Sequence, residues 1–409
     1  MFALNSIKSA IKLIPVAAKS NAMVRSWLTM AKYRSWCKQY RSPCILKPAD
    51  RAEWEHKFRR ETHPISPRSS RDARRRFFYV SSCWDQDRSG LIQGLQSHGE
   101  VRVLRGPGGD NQLRFSPNQP ETAADRKANG IAIESELAEF ARDGRVSALI
   151  GQMWNFSVPA MSLSRIRALG VPVVNIAMDD RHSFHKAPLS DGTDGGVAGI
   201  VRAISLGATA APECISWYAR FGTPAVFFPE ASDASIFRRS NQPKIHDITF
   251  IGANYGFRGQ IVARLRRAGL RVTTYGAGWP DGWVRTEVVP SILSQSRIIL
   301  GIGGILHCKS FTALKLRDFD AAMSGSLYLA QENPDLALMF RLGSEIDTWR
   351  DIPELIAKCR AHLADENGRE RIAAAGRARA VAEHTWARRF GVLLRQLETL
   401  QAGAGKQFS

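Results

Sequence analysis

The chain has 409 residues, more than one hydrophobic core usually supports, so two domains are expected. Its 44% apolar and 23% charged residues are ordinary for a globular protein and exclude a disordered, collagen-like or membrane-spanning chain. Charge is the outlier: 57 Lys and Arg against 38 Asp and Glu, a formal +19, which points to a polyanionic partner such as nucleic acid, anionic lipid or a phosphorylated substrate.

That excess is concentrated. Residues 1–77 hold 18 Lys and Arg against 5 acids, a net +13, and no acid occurs between Met1 and Ala49. Leu4, Ile7, Ile11 and Ile14 fall at helical spacing until Pro15; Val24, Trp27, Leu28 and Ala31 repeat the pattern, with Arg25, Lys32 and Arg34 alongside. Basic amphipathic helices with Trp and Tyr suit an anionic headgroup layer, where each basic residue contributes roughly 1 kcal/mol. A helix packed on the body, or an organelle presequence, would read the same way. Residues 1–70 are therefore expected to be a basic amphipathic extension and linker, with residues 1–40 meeting an anionic membrane surface from the cytoplasmic side. Nucleic acid is not favoured, because the basic segment carries no zinc, RRM or helix-turn-helix signature. Six scattered cysteines suggest a reducing compartment, and no run of eighteen apolar residues reads as a spanning helix. Lysines interrupt the first apolar stretch, so a secretory signal is not expected.

From Arg76 the pattern changes to apolar strands separated by amphipathic helices. Strands are predicted at Arg76–Ser82, Val101–Leu104, Val146–Ile150, Val171–Ile176 and Ala225–Phe228, with helices near Ser89–Ser97, Glu121–Asp143 and Pro159–Leu169. A second series follows at Asp247–Ile251, Arg271–Tyr275, Arg297–Gly301 and Ser326–Ala330. Such alternation means parallel strands with helices on both faces. The last helix, Trp386–Leu400, gathers Phe390, Leu393, Leu394 and Leu397 on one face, behind Thr385 as its expected N-cap.

Several blocks carry a resemblance. Asp247-Ile-Thr-Phe-Ile-Gly-Ala-Asn-Tyr-Gly-Phe-Arg258, Tyr275-Gly-Ala-Gly-Trp279, Leu316-Arg-Asp-Phe-Asp-Ala-Ala-Met-Ser-Gly325, Gly343-Ser-Glu345 and the stretch from Ile372 through His384-Thr385-Trp386 to Arg388 resemble, in order and spacing, CgeB-like glycosyltransferases. The resemblance implies a GT-B fold: two Rossmann-like doubly wound parallel-sheet domains facing a cleft, here with a basic helical N-terminal extension. It implies an acceptor domain over 71–228, a sugar-nucleotide donor domain over 229–385, and a closing helix and tail over 386–409. It also implies a nucleotide-sugar donor, a glycan or lipid-linked acceptor, and no metal or other cofactor.

The candidate donor-binding residues follow. Gly252 lets backbone approach a ligand, and Arg258 at a helix start can meet a diphosphate; otherwise they are a tight strand exit and a solvated arginine. Gly303 leaves the next strand without side-chain bulk. Lys315 and Arg317 can neutralise the leaving diphosphate, Lys309 being a weaker candidate; the alternative for Arg317 is a salt bridge with Asp318 or Asp320. The resemblance puts Asp320 where a related glutamate receives the ribose hydroxyls. Where broader retaining families place a second glutamate, this chain has Thr312. Asp180 and His182, just past a strand, and Asp85, in the first strand–helix loop, are the candidate proton acceptors, although a strand-end Asp often only caps a helix. Asp191-Gly-Thr-Asp194 reads as a turn rather than a metal loop. The departures at Thr312 and Asp320 leave a non-catalytic, glycan-binding GT-B protein as the alternative to a glycosyltransferase.

Overall fold

The computed structural model describes residues 22–45, 75–114, 123–305 and 308–405. They form two compact units: residues 75–229 with the chain from Trp386 onward, and residues 230–385 with the N-terminal helix α1 (Ala22–Tyr40).

In the first unit six parallel strands lie in the order β2-β1-β3-β4-β5-β6: β1 (Arg76–Val80), β2 (Glu100–Val103), β3 (Ala148–Gly151), β4 (Val173–Ala177), β5 (Leu206–Thr209) and β6 (Ala225–Phe227). Phe78 registers with Leu149, Leu149 with Val173, and Asn175 with Gly207. Strands β3, β4 and β5 are buried along their whole length, which is why Val173-Val-Asn-Ile-Ala177 reads as continuous apolar sequence rather than as an alternation. Helices α2 (Leu91–Gln96), α3 (Ala123–Ala141) and α4 (Ala160–Ala168) make the crossovers. Strand β5 was not anticipated: Leu-Gly-Ala-Thr looks like a turn, but Gly207 is there because the Tyr218 ring occupies the space a side chain would need.

The second unit has five parallel strands in the order β11-β10-β9-β7-β8: β7 (His246–Ile251), β8 (Val272–Tyr275), β9 (Ser296–Gly301), β10 (Leu327–Gln331) and β11 (Asp347–Trp349). Four of these strands were expected, and the three-residue edge strand β11 was not. Helices α5 (Arg258–Arg267), α6 (Leu316–Met323), α7 (Ile352–Ala364) and α8 (Glu366–Glu383) complete it. Its core gathers Ile248, Phe250, Ile261, Leu265, Ile298, Leu300, Leu329 and Leu355. Both sheets are thus wound in the sense 2-1-3-4-5, which places their topological switch points between β1 and β3 and between β7 and β9.

The final helix α9 (Trp386–Gly405) packs on α2, with Gly94 admitting Trp386 where a Cβ would collide with it. Phe390, Leu393, Leu394 and Leu397 are buried, as their spacing predicted.

Helix α1 corrects the reading of the extension's apolar face. Tyr33, Ser35, Cys37 and Tyr40 are its buried residues, whereas Trp27 is 50% exposed and Val24, Leu28 and Ala31 are only partly covered. The reason is a tertiary partner: the Tyr33 ring lies 4.8 Å from that of Phe311, and the Tyr33 hydroxyl accepts the backbone N–H of Ile45 at 3.2 Å. The helix expected over Leu4–Ile14 lies outside the described residues. Among the described residues no helix is long and apolar enough to cross a membrane.

Candidate functional site

The switch point of the second unit gathers three of the sequence-predicted residues. Strand β7 ends at Ile251, and the chain leaves through Gly252 with φ +145°, a conformation that suits glycine. Its N–H extends the ladder to Tyr275, and its carbonyl accepts the Trp279 indole N–H at 2.6 Å. A Cβ at Gly252 would run into Arg317 Nη2 and come 3.6 Å from Arg258 Nη1. Glycine here makes room for two guanidinium groups.

Each guanidinium is held by backbone. Arg317 Nε donates to the Ile251 carbonyl at 2.7 Å, and its guanidinium lies 4.6 Å from the Phe250 ring centroid. Arg258 Nη1 donates to the Ala253 carbonyl at 2.9 Å, with its guanidinium 4.0 Å from the Tyr255 ring. Among the described residues neither arginine forms an ion pair with a carboxylate, so the expected alternative of an Arg317 bridge to Asp318 or Asp320 is not what the structure shows. Arg258 is buried, and its Nε has no hydrogen-bond partner. Burial first, and then the charge of Arg317, lower its pKa to about 10. Two adjacent guanidinium groups without a salt-bridge partner among the described residues have the chemistry to receive an anion, with the Asp318 and Asp320 carboxyls near enough to feel the charge of Arg317.

Helix α6 supplies the rest. Lys315 precedes its first turn, and its N–H donates to Asp318 Oδ2 at 2.8 Å. Asp318 Oδ1 accepts the Tyr328 hydroxyl, and burial pushes the carboxyl up to about 6. Asp320 Oδ1 accepts the Ser232 hydroxyl at 2.7 Å, and desolvation pushes its pKa up to about 8. Gly303 follows β9, but a Cβ there would make only ordinary contact, 3.7 Å from the Ala313 carbonyl. The tight position is Gly304, against Phe257 and the Cys308 carbonyl, a distinction the run Gly301-Ile-Gly-Gly304 does not reveal. The chain from Gly303 to Ala313 closes on itself through Ile305 N–H to Phe311 O and Ala313 N–H to Gly303 O. Thr312 is buried there and donates to Asn333 Oδ1 at 3.2 Å, while Lys309 lies 5.9 Å from the Phe257 ring centroid. Helix α1 packs on this hairpin, where Cys308 Sγ donates to the Ser26 carbonyl and Ser310 Oγ approaches Met30 Sδ.

In the first unit the strand ends carry the other candidates. Asp85 is exposed and pairs with Arg88 at 2.8 Å. Two residues on lies Asp87, which sequence reasoning passed over. It is fully buried, accepts the hydroxyls of Tyr79 (3.1 Å) and Ser81 (2.7 Å) and the Gln152 amide (2.8 Å), and is raised by burial to about 7. Asp180 is 1% exposed, accepts the Tyr218 hydroxyl at 2.8 Å, and is likewise raised by burial to about 7. His182 Nε2 stands 3.8 Å from Asp179. Arg181, between them, forms a fully buried two-pronged pair with Glu213 at 2.7 and 3.0 Å. Asp191–Asp194 forms the expected turn, with Asp191 Oδ1 accepting the Thr193 N–H and hydroxyl.

Residues 258–395 match a family model described as glycosyl transferase-like, a stretch that contains Arg258, Lys315, Arg317 and Asp320. Sucrose-phosphate synthase from Thermosynechococcus elongatus is similar in structure, with a TM-score of 0.54 at 11% identity over 81% of this chain and 100% of that one. Anabaena Alr3699/HepE, solved with UDP and glucose, gives 0.53 at 10% identity over 80% and 100%. A glycosyltransferase from Rickettsia africae gives 0.52 at 10% over 81% and 98%. No curated protein matches the sequence. The fold is GT-B, built of two Rossmann-like parallel-sheet domains. Within it, residues 258–395 carry glycosyl transferase-like sequence around a pair of arginines.

Proposed function

We propose that the protein is a glycosyltransferase of hexosyltransferase type, moving a sugar from a nucleotide-sugar donor to a glycan or lipid-linked acceptor. The observation that carries this reading is the convergence of Arg258 and Arg317 on Gly252, at the switch point of the second unit and without a carboxylate partner. A nucleoside diphosphate supplies the anion such a pair lacks, and its leaving group gains negative charge where the guanidiniums stand. Lys315 adds a third cation, and Asp320 is assigned the ribose hydroxyls, whose two donated hydrogen bonds would favour its anion over its neutral form. That Anabaena Alr3699/HepE, of the same fold, was solved with UDP supports a uridine donor. No metal is needed in this scheme, because the cations are side chains.

The acceptor is assigned to the first unit, where Asp85, Asp180 and His182 stand at the strand ends. The exposed Arg25, Lys32, Arg34, Lys38 and Trp27 of α1 support attachment to an anionic membrane on its cytoplasmic face.

Calorimetry with UDP and a panel of UDP-sugars tests the donor reading. Arg317→Met should weaken UDP binding about 10- to 100-fold, as expected for losing a charged hydrogen-bond donor. Equal affinity in wild type and variant would remove the arginine pair from the site, and absence of any sugar-nucleotide binding by the wild type would favour a non-catalytic role.

A further inference from the structure

We propose that the second unit carries a separate binding site for a phosphate group, built from Lys244, Arg239, Arg297 and Arg369 at the amino ends of its strands. The site does not depend on the glycosyl-transfer reading. Gly252 and its two arginines stand at the carboxyl end of β7, whereas Lys244 lies just ahead of His246, the first residue of that strand. Along the strand the two places are on the order of 20 Å apart. In the sheet order β10-β9-β7, Lys244 precedes β7, Ser296 opens β9 and Ser326 precedes β10. The Lys244 side chain reaches past the start of β9, and its Nζ donates to Ser326 Oγ at 2.7 Å. That hydroxyl donates onward to the Leu293 carbonyl at 2.7 Å. An ammonium has three hydrogens and Ser326 takes one; among the described residues Lys244 forms no ion pair.

The guanidiniums around it are only partly engaged. Arg297 Nη1 donates to Asp247 Oδ1 at 2.8 Å, while Asp247 Oδ2 is taken by Arg271 at 2.6 Å. Arg239 Nη2 donates to Glu370 Oε2 at 3.0 Å, and its stem lies over Gly325, where a Cβ would meet it at 3.0 Å. Arg369, in the first turns of α8, is 1% exposed and donates from Nη1 to the His362 carbonyl at 2.9 Å. Its Nε and Nη2 are buried without a hydrogen-bond partner, 3.7 Å from Glu370 and 3.4 Å from Glu366. Glu370 thus serves two arginines and Asp247 two more, which leaves Lys244 without a carboxylate of its own. Burial, and then the charges of Arg239, Arg369 and Arg297 against the opposing pull of Glu370, lower the pKa of Lys244 to about 8.

An anion bound here would accept the remaining hydrogens of Lys244 and N–H groups that Arg239 and Arg297 leave unused, with Arg369 adding its charge from behind. A carboxylate offers one charge and two oxygens to this set. A phosphate monoester offers close to two charges and three acceptor oxygens, which suits several donors arranged about one point. The side chains of Arg239 and Arg297 are 47% and 33% exposed, so the group is reached from solvent. Bound phosphate would join the starts of β7 and β9 to the start of α8, and so order the second unit at the end away from Gly252.

Calorimetry of the full-length protein with inorganic phosphate and with glucose 6-phosphate tests the site. Because the arginine pair beside Gly252 can also take anions, the titrations are made in Arg317→Met as well as in the wild type. Phosphate should still bind Arg317→Met, and adding Lys244→Met should weaken that binding about 10- to 100-fold, as expected for losing a charged donor. Arg239→Gln, at an exposed side chain, should act in the same direction, and phosphate should slow hydrogen exchange within residues 366–372. Equal affinity for the two ligands assigns the site to the phosphate group alone, and tighter binding of glucose 6-phosphate assigns it to a phosphorylated metabolite. Phosphate affinity unchanged by both substitutions overturns the site. Loss of all phosphate binding in Arg317→Met overturns it too, since the anion would then belong beside Gly252. Lys244→Met alone should leave UDP affinity unchanged, so this proposal and the donor reading fail by different measurements.

Discussion

Two guanidinium groups brought within reach of one glycine repel each other, and a bound anion would relieve that repulsion. Arg258 bears the cost here, since burial and the neighbouring Arg317 both disfavour its charge. The buried carboxyls of the chain show the same logic with the opposite sign. Asp87 and Asp180, each raised by burial to about 7, hold their protons in the folded state at pH values where an unfolded chain has released them. A carboxyl raised in this way makes the folded state bind more protons than the unfolded one between about pH 4 and pH 7, so stability falls as pH rises through that window. His98 and His246, lowered by burial, oppose the trend, so the clean measurement is a difference. Asp87→Asn should be nearly as stable as the wild type at pH 5 and more stable at pH 8, by on the order of a few kcal/mol. Urea denaturation at the two pH values reads this directly, and an unchanged pH dependence would show that Asp87 is ionised in the fold. Sequence pointed to Asp85 in this loop because it stands first after the strand. Only the packing of Tyr79, Ser81 and Gln152 shows that Asp87 is the carboxyl with an unusual environment. The arginine pair was easier to find, because the glycine ending an apolar strand and the arginine opening a helix are local signals.

Among the elements, α1 changes most in meaning. As sequence it is a basic helix with two indoles and no acids, and its apolar residues suggested one face for lipid. As structure it is a part of the second unit, with Tyr33, Cys37 and Tyr40 buried and the hairpin Gly303–Ala313 beneath it. No periodicity count could settle which side faces inward, because apolar and aromatic residues occur on both. The two strands missed, β5 and β11, have related causes: one is interrupted by a glycine that a tyrosine ring requires, and the other is three residues long at a sheet edge. The hairpin under α1 leads directly into Lys315 and α6, so the helix supports the chain that carries Lys315 and Arg317. Tyr33→Ala removes a fully buried ring from Phe311 and should cost about 3 kcal/mol of stability. Hydrogen exchange should quicken within residues 308–313, and UDP affinity should fall with it. Unaltered exchange in that hairpin would show that α1 rests on the unit without supporting it.

At the scale of the whole molecule, the formal +19 divides into local tasks. Part of it is consumed in buried or bridged pairs such as Arg181 with Glu213, and part forms the arginine pair beside Gly252. Arg25, Lys32, Arg34 and Lys38 of α1 are exposed to solvent. Because the inner side of the same helix is packed on the second unit, truncating the extension would confound membrane release with damage to that unit. Neutralising the outer cations is the better experiment. Replacing all four by Gln leaves Tyr33, Cys37 and Tyr40 in place and should lower binding to vesicles of mixed phosphatidylcholine and phosphatidylserine by about 10²- to 10³-fold, at roughly 1 kcal/mol for each charge. The wild-type interaction should weaken as salt is raised, since screening acts on exposed charges. UDP affinity should stay constant, because these four side chains lie outside the arginine site. Vesicle binding that survives the four substitutions would assign any membrane contact to residues 1–21 or to another part of the chain.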